Sequence, residues 1–170
     1  MLIIREKKII NPSNYNLKEK LVKIKRVCKV TKGRREFSFT SIVVKGDYKS
    51  IIGYGVGKSK EISDSILKAS NKSKNNLIFV PIINYTIPYE FSFKYCSTKI
   101  NLYPAKLGTG IIAGSSARIL LELSGIKNIY VKFIGSTNVF NCVKLTYYAL
   151  KKLKLEYDII KNNKKNYGII

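Results

Sequence analysis

The chain has no histidine, no tryptophan and a single methionine. It has only four prolines and three cysteines in 170 residues. Without histidine the commonest general base is missing, and with it the Ser-His-Asp and Cys-His arrangements of nucleophilic catalysis. Cys28, Cys96 and Cys142 are odd in number and far apart, and with no imidazole to complete a ligand set they predict neither a metal site nor a disulfide framework. They read as reduced, mostly buried thiols, and no metal or cofactor is expected. Long apolar runs are also missing. The longest, Leu77 to Ile83 and Tyr130 to Ile134, are strand-sized against the roughly 18 to 20 residues of a membrane helix. The start, Met-Leu-Ile-Ile-Arg-Glu-Lys-Lys, has no signal core and no transit-peptide pattern. The expectation is a soluble protein made in the compartment where it works.

Negative charge is the other scarcity. The 10 Asp and Glu face 32 Lys and Arg, a net charge of +22, where a small domain needs about 2 to 8 for solubility. Such an excess points to a polyanionic partner. Abundant Ile, Asn, Tyr and Lys suggest an AT-rich genome, which supplies part of it. With 45% hydrophobic residues the chain can build a packed core as one domain or two small ones.

Leu21 to Val30 mixes β-branched residues with Lys and Arg, and Glu36 to Val44 alternates clearly, so two strands are predicted. Between them Thr31-Lys32-Gly33-Arg34-Arg35 forms a hairpin loop with three cations at its tip. Gly46-Asp47 marks a further turn. From Ser50 the chain reads Ile-Ile-Gly-Tyr-Gly-Val-Gly-Lys-Ser-Lys-Glu-Ile, a strand entering a helix over about Glu61 to Asn75, whose spacing predicts Ile62, Ile66, Ala69 and Ser73 as the buried face. Gly53, Gly55 and Gly57 do not make a nucleotide loop. A Walker A motif needs glycine where Ile52 stands, and the dinucleotide fingerprint meets Lys58 where its third glycine belongs. They mark a thinly covered strand that another backbone can approach, with Lys58 and Lys60 beside a helix N-terminus as candidate phosphate contacts.

Pro81 and Pro88 bracket the best candidate boundary between two domains. Phe91, Phe93 and Tyr95 alternate in one strand and Lys99 to Tyr103 reads as its partner. Pro104 to Gly125 is rich in small residues. Gly108, Gly110 and Gly114 allow a close approach, Ser115 and Ser116 are placed to cap a helix, Ala117 to Leu123 supplies a buriable stripe, and Gly125 sits at a left-handed C-terminal cap. Asn128 to Ile134 reads as a strand. Asn138 is placed as the cap of a helix running to about Lys154, with Val139, Cys142, Val143, Thr146, Ala149, Leu150 and Leu153 as its core stripe. The Asn- and Lys-rich segment 155–170 lacks periodicity and is predicted to be a flexible basic tail.

The series Val27-Cys-Lys-Val-Thr-Lys-Gly-Arg-Arg-Glu-Phe-Ser-Phe-Thr, Gly53-Tyr-Gly-Val-Gly-Lys-Ser-Lys-Glu, Thr86-Ile-Pro, Pro104-Ala, Gly108-Thr-Gly-Ile-Ile-Ala-Gly and Gly135-Ser-Thr-Asn resembles the bacterial-type small-ribosomal-subunit protein five family. The resemblance spans roughly Leu17 to Leu153, with its motifs in order. It implies an α+β protein of two small domains. Residues 17–83 would be double-stranded-RNA-binding-like, a three-stranded antiparallel sheet plus a helix, and 84–154 a β-α-β-type sheet with two helices, like domain 2 of ribosomal proteins. Residues 1–16 would be an extension. The implied role is structural and not enzymatic. The protein would bind small-subunit rRNA near the decoding region and the messenger RNA entry channel, and influence accuracy. It would lie beside small-subunit proteins four and eight.

Carried over by position, the resemblance assigns rRNA binding to Lys29, Lys32, Gly33, Arg34, Arg35, Gly53, Gly55, Gly57, Lys58 and Lys60. The surface toward protein four falls on Gly108, Thr109, Gly110, Ile111 and Arg118. The chain departs from the family pattern at Ser50, where a later turn glycine is usual, and at Val139, where proline often follows the asparagine. Pro104, Gly108 and Ser115-Ser116-Ala117 also resemble the phosphate loop of small-metabolite kinases, but the spacing is too long and no catalytic acid accompanies it. A free-standing RNA chaperone or assembly factor would carry the same residues. The composition suits a ribosome inside a reduced plastid or, as the other reading, a bacterial cytoplasm.

Overall fold

In a computed structural model, which describes residues 11–12 and 15–166, two four-stranded sheets enclose a pair of helices. The first sheet holds β1 (Lys18–Thr31), β2 (Arg34–Gly46), β3 (Ile51–Ser59) and β4 (Leu77–Phe79) in that order, all antiparallel. Helix α1 (Ile62–Asn75) joins β3 to β4. The fourth strand, three residues long, adds to the three expected.

Alternation along the strands gives this sheet two distinct faces. Ser41, Val43 and Lys45 share one face with Gly57, Gly55 and Gly53, their partners in β3. Helix α1 lies on that face so closely that a Cβ on any of the three glycines would meet its backbone, at Ser65, Ala69 and Ser73. This contact bears out Ala69 and Ser73 of the predicted buried stripe and corrects Ile62 and Ile66. The helix turns Ser65, Ala69, Ser70 and Ser73 inward, while Ile62 is 44% exposed, because the sheet leaves no depth for a branched side chain. Ser65 and Ser73 satisfy their hydroxyls on the carbonyls of Ile62 and Ser70, each at 2.7 Å.

The turn between β2 and β3 is held by Asp47, whose Oδ1 accepts the amides of Lys49, Ser50 and Ile51 at 2.8 to 2.9 Å. The glycine absent at position 50 is therefore not needed. Tyr48 takes the left-handed conformation, φ +57°, and donates its amide to the Leu123 carbonyl.

The second sheet holds β5 (Phe91–Tyr95), β6 (Thr98–Pro104), β8 (Ile129–Gly135) and β7 (Ile111–Ile112), in that spatial order. Strand β7 runs parallel to β8, with α2 (Ser115–Ser124) as the connection, so a β-α-β unit is present. Gly125 caps α2 with φ +92°, as expected. The N-terminal expectation fails: Gly114 is the N-cap, neither Ser115 nor Ser116 caps by side chain, and Ser116 is buried.

Helix α3 (Val139–Asn166) starts at Asn138, whose Oδ1 accepts the Phe140 amide at 3.2 Å. The expected stripe is buried from Cys142 to Leu153, with Val139 half-buried at its start, and Leu145 and Tyr147 are buried besides, because α3 lies between the two sheets. Of the segment 155–170, expected to be a flexible tail, residues 155–166 continue this helix and 167–170 lie outside the described residues. Leu155, Ile159 and Ile160 are exposed, so backbone hydrogen bonding extends the helix past the point where core periodicity ends.

The layers run α1, first sheet, α2 with α3, second sheet. Ile42, Val44, Ile52 and Tyr54 from the first sheet join Leu102, Leu120, Leu121, Val143 and Leu150 in one apolar core. Tyr54 meets Tyr147 edge-on at 4.6 Å, and Tyr147 donates to the Asn76 carbonyl. The segment between Pro81 and Pro88 is a tight turn, with Ile83 bridged to Thr86 and positive φ at both Asn84 and Tyr85. The Tyr85 carbonyl takes the amides of Lys127 and Asn128, which docks the connection onto the second half.

The cysteine expectation also needs correction. Cys142 is buried, but Cys28 and Cys96 are exposed. Cys28 rides on the projecting hairpin and Cys96 occupies the β5 to β6 turn, with φ +52°.

Candidate nucleic-acid interface

Beyond Ser41 the β1 to β2 hairpin leaves the core and projects by roughly 20 Å, at about 3.3 Å per residue. Lys32 and Gly33 form the turn, where Gly33 takes φ +77° with open space around it. Lys29, Lys32, Arg34 and Arg35 are all exposed, and Val30 is 73% exposed. Glu36 is the one acidic residue from Lys20 to Thr40, and its approach to Arg34 is loose at 3.9 Å.

Strand register separates the cations by face. Lys29 and Arg34 lie on one face and Arg35 on the other, so the tip is basic on both sides. Lys25 pairs with Thr40, which pairs with Lys58, and this row brings the glycine-strand cation onto the same face as Lys29 and Arg34. Lys23 and Lys25 belong to that face and Arg26 to the opposite one, where its guanidinium lies 3.9 Å from the Phe37 ring centre. These three were not among the residues expected. Their spacing was visible in the sequence, but their membership in one sheet row depends on register.

Gly53, Gly55 and Gly57 are buried beneath α1 and offer no surface of their own. Any contact by this strand falls to Lys58 and Lys60, both exposed at its end. The N-terminus of α1 is already furnished with acid. Asp64 sits in its first turn, Ser59 donates to Asp64, and Lys68 donates to Ser59.

The loop before α2 forms a separate surface. Gly108 and Gly110 take φ +92° and +76°, and nothing lies within 4 Å of where a side chain would begin. Their amides both donate to Oδ1 of the buried Asn128 at 3.1 Å, which presets the loop. Thr109 and Ile111 are half-buried. Arg118 is exposed and donates from Nη2 to the Ile111 carbonyl at 2.9 Å, pinning β7 to α2. The structure thus brings Gly108, Thr109, Gly110, Ile111 and Arg118 together, in the second half of the molecule, apart from the hairpin cations. Asn128 is the residue missed here; it acts across 18 to 20 positions of chain, beyond any local signal.

A basic hairpin projecting from an α+β body is the arrangement of a nucleic-acid-binding protein. The family model described as Ribosomal protein S5, N-terminal domain, matches residues 17–81, and that of the Ribosomal protein S5, C-terminal domain, matches residues 93–163. The chain belongs to the ribosomal protein S5 family. It is 52% identical to the small ribosomal subunit protein uS5 of Karelsulcia muelleri (strain GWSS) over 139 residues, 81% of each chain. It is 42% identical to that of Flavobacterium psychrophilum over 89% of this chain and 87% of the relative. With that of Chloroflexus aurantiacus the identity is 46%, over 85% and 81%. The second match reaches residue 163, past Leu153 where the motif resemblance ends, and takes in part of the segment 155–170.

Proposed function

We propose that the chain is a structural, non-enzymatic constituent of the small ribosomal subunit that anchors in small-subunit rRNA through its hairpin. The observation that carries this reading is the hairpin itself, which leaves the core, buries little and presents Lys29, Lys32, Arg34 and Arg35 to solvent. Lys58 and Lys60 extend the same basic surface, with Lys25 in the row. Phosphates are the partner that such a surface suits, and register, not base identity, is what they set.

The Gly108 to Ile111 loop with Arg118 is the proposed seam toward small-subunit protein four, and through it toward decoding accuracy. Open space at both glycines supports a close-lying neighbour. Protein eight and messenger RNA where it enters the subunit complete the proposed surroundings. The ribosome is the proposed location; the bacterial relatives favour a bacterial cytoplasm over a reduced plastid.

Reconstitution tests the two surfaces separately. Arg34→Ala with Arg35→Ala should lower incorporation into small subunits without changing the melting temperature of the free protein. Arg118→Ala should incorporate normally and change misreading. Normal incorporation of the paired arginine variant would sink the hairpin assignment; an Arg118 variant that blocks assembly and leaves misreading untouched would sink the seam.

A further inference from the structure

The second sheet covers α2 and α3 with one face, and among the described residues nothing covers the other. Phe91, Ile100, Leu102 and Ile129 point inward and are buried. Outward on β6 stand Lys99, Asn101 and Tyr103; on β8, Tyr130, Lys132 and Ile134; on β5, Ser92 and Lys94. Tyr103 and Tyr130 are direct cross-strand partners, and Ile112 of β7 is the next residue along that row. Their exposures are 36%, 42% and 51%. Directly opposed residues have Cβ atoms about 5 Å apart, so the two side chains leave the same face from neighbouring positions. Neither ring packs on another aromatic ring among the described residues, and Asn101 Nδ2 donates to Tyr103 Oη at 3.3 Å.

The polar remainder of the face carries one sign. Lys94 is the cross-strand partner of Lys99, and Lys132 pairs with Asn101, while no residue of the four strands is acidic. Two like charges opposite each other are unfavourable in a bare sheet. Phosphates spaced along a strand would relieve them, and tyrosine rings beside them offer planar faces to unpaired bases. Aromatic platforms flanked by cations are how sheets hold single strands. A duplex hides its base faces and would use only the lysines.

We propose that this open face is a second RNA site, separate from the hairpin, that takes a single-stranded segment by stacking bases on Tyr103 and Tyr130 and pairing its phosphates with Lys94, Lys99 and Lys132. The site faces away from α1 and the first sheet, so it does not rest on the hairpin's role.

The test uses the full chain with a fluorescein-labelled oligouridylate of about 12 nucleotides and a duplex of equal length, together with a 5-bromouridine version for crosslinking. The parent should crosslink through peptides holding Tyr103 or Tyr130. Tyr103→Ala with Tyr130→Ala should weaken single-strand binding roughly 5- to 150-fold per stacked base, with little effect on the duplex. Tyr103→Phe with Tyr130→Phe should retain binding, which separates stacking from misfolding. Arg34→Ala with Arg35→Ala should keep the tyrosine crosslinks and the single-strand affinity they report, whether or not that variant lowers duplex binding. Unchanged single-strand affinity in the alanine pair, crosslinks confined to hairpin peptides, or a photocrosslinker at position 103 that captures a neighbouring protein in assembled subunits would each overturn the proposal.

Discussion

At the scale of single residues, a few positions are fixed by contacts with no room to give. Gly55 is the clearest, because a Cβ there would be driven into the Ala69 carbonyl and the Ser73 amide of α1. Gly55→Ala should destabilise the fold by about 1 to 3 kcal/mol, as overpacking does, and urea titration would show it as a lower midpoint with an unchanged slope. Lys45 is the second case. Its ammonium is buried, and Glu19 lies 2.9 Å away, half-exposed at the edge of the same face. Glu19 also accepts from Ser70. The hydrogen bond from Lys45, then that from Ser70, holds the Glu19 carboxyl below its ordinary range. A depressed carboxylate stabilises above the unfolded-state value and loses that stabilisation as pH falls through the folded value. Melting temperature should therefore fall on acidification from about pH 5 downward. Glu19→Gln should start lower at pH 7, since it leaves Lys45 without its anion, and show a shallower acid limb; parallel acid limbs for the two proteins would refute the linkage.

At the scale of elements, the hairpin and the Gly108 loop are built in opposite ways. The hairpin is self-sufficient: its ladder of backbone bonds runs to the tip, and exposed side chains contribute little to holding it. The loop depends on one side chain. Asn128 is buried with its Oδ1 serving both glycine amides, and removing it leaves two donors to find water. Asn128→Ala should cost about 1 to 3 kcal/mol. Hydrogen exchange should report faster exchange of the Gly108 and Gly110 amides with the Lys25 to Phe39 amides unchanged. Elements also show where local sequence signals stop working. The α1 periodicity marked Ile62 and Ile66 as core, but the facing glycines bring the sheet so near that serine and alanine take those places. The helix expected to end near Lys154 continues, because hydrophobic periodicity reports burial and this helix outlasts its buried stretch.

At the scale of the whole molecule, the two sequence-defined halves share a core. Gly46 is packed on Leu123, Gly125 on Tyr48, and Lys20 bonds Glu122 at 2.8 Å across the same seam. Tyr147 is central to it, buried enough that its phenol is pushed up to about 12. Thermal unfolding should therefore be a single transition, with calorimetric and van't Hoff enthalpies equal. Tyr147→Ala should cost about 3 to 5 kcal/mol, within the range for large aromatic truncation in a core. Two resolved transitions in the parent would show that the halves fold separately.

The sequence by itself determined the charge, the order of the longer strands and the helices in both halves but not the short β4 and β7, the capping residues Gly125 and Asn138, and the residues of the basic tip. Each of these is written in neighbouring positions: alternation, helical spacing, a turn glycine, a run of cations. Only the tertiary structure decided which cations share a face, that Gly53, Gly55 and Gly57 serve α1 and not an outside partner, that Asn128 shapes a loop 18 to 20 residues away, and that one face of the second sheet stays open. Those outcomes depend on register and on layer contacts between distant segments, and a shift of one residue in register would exchange every face.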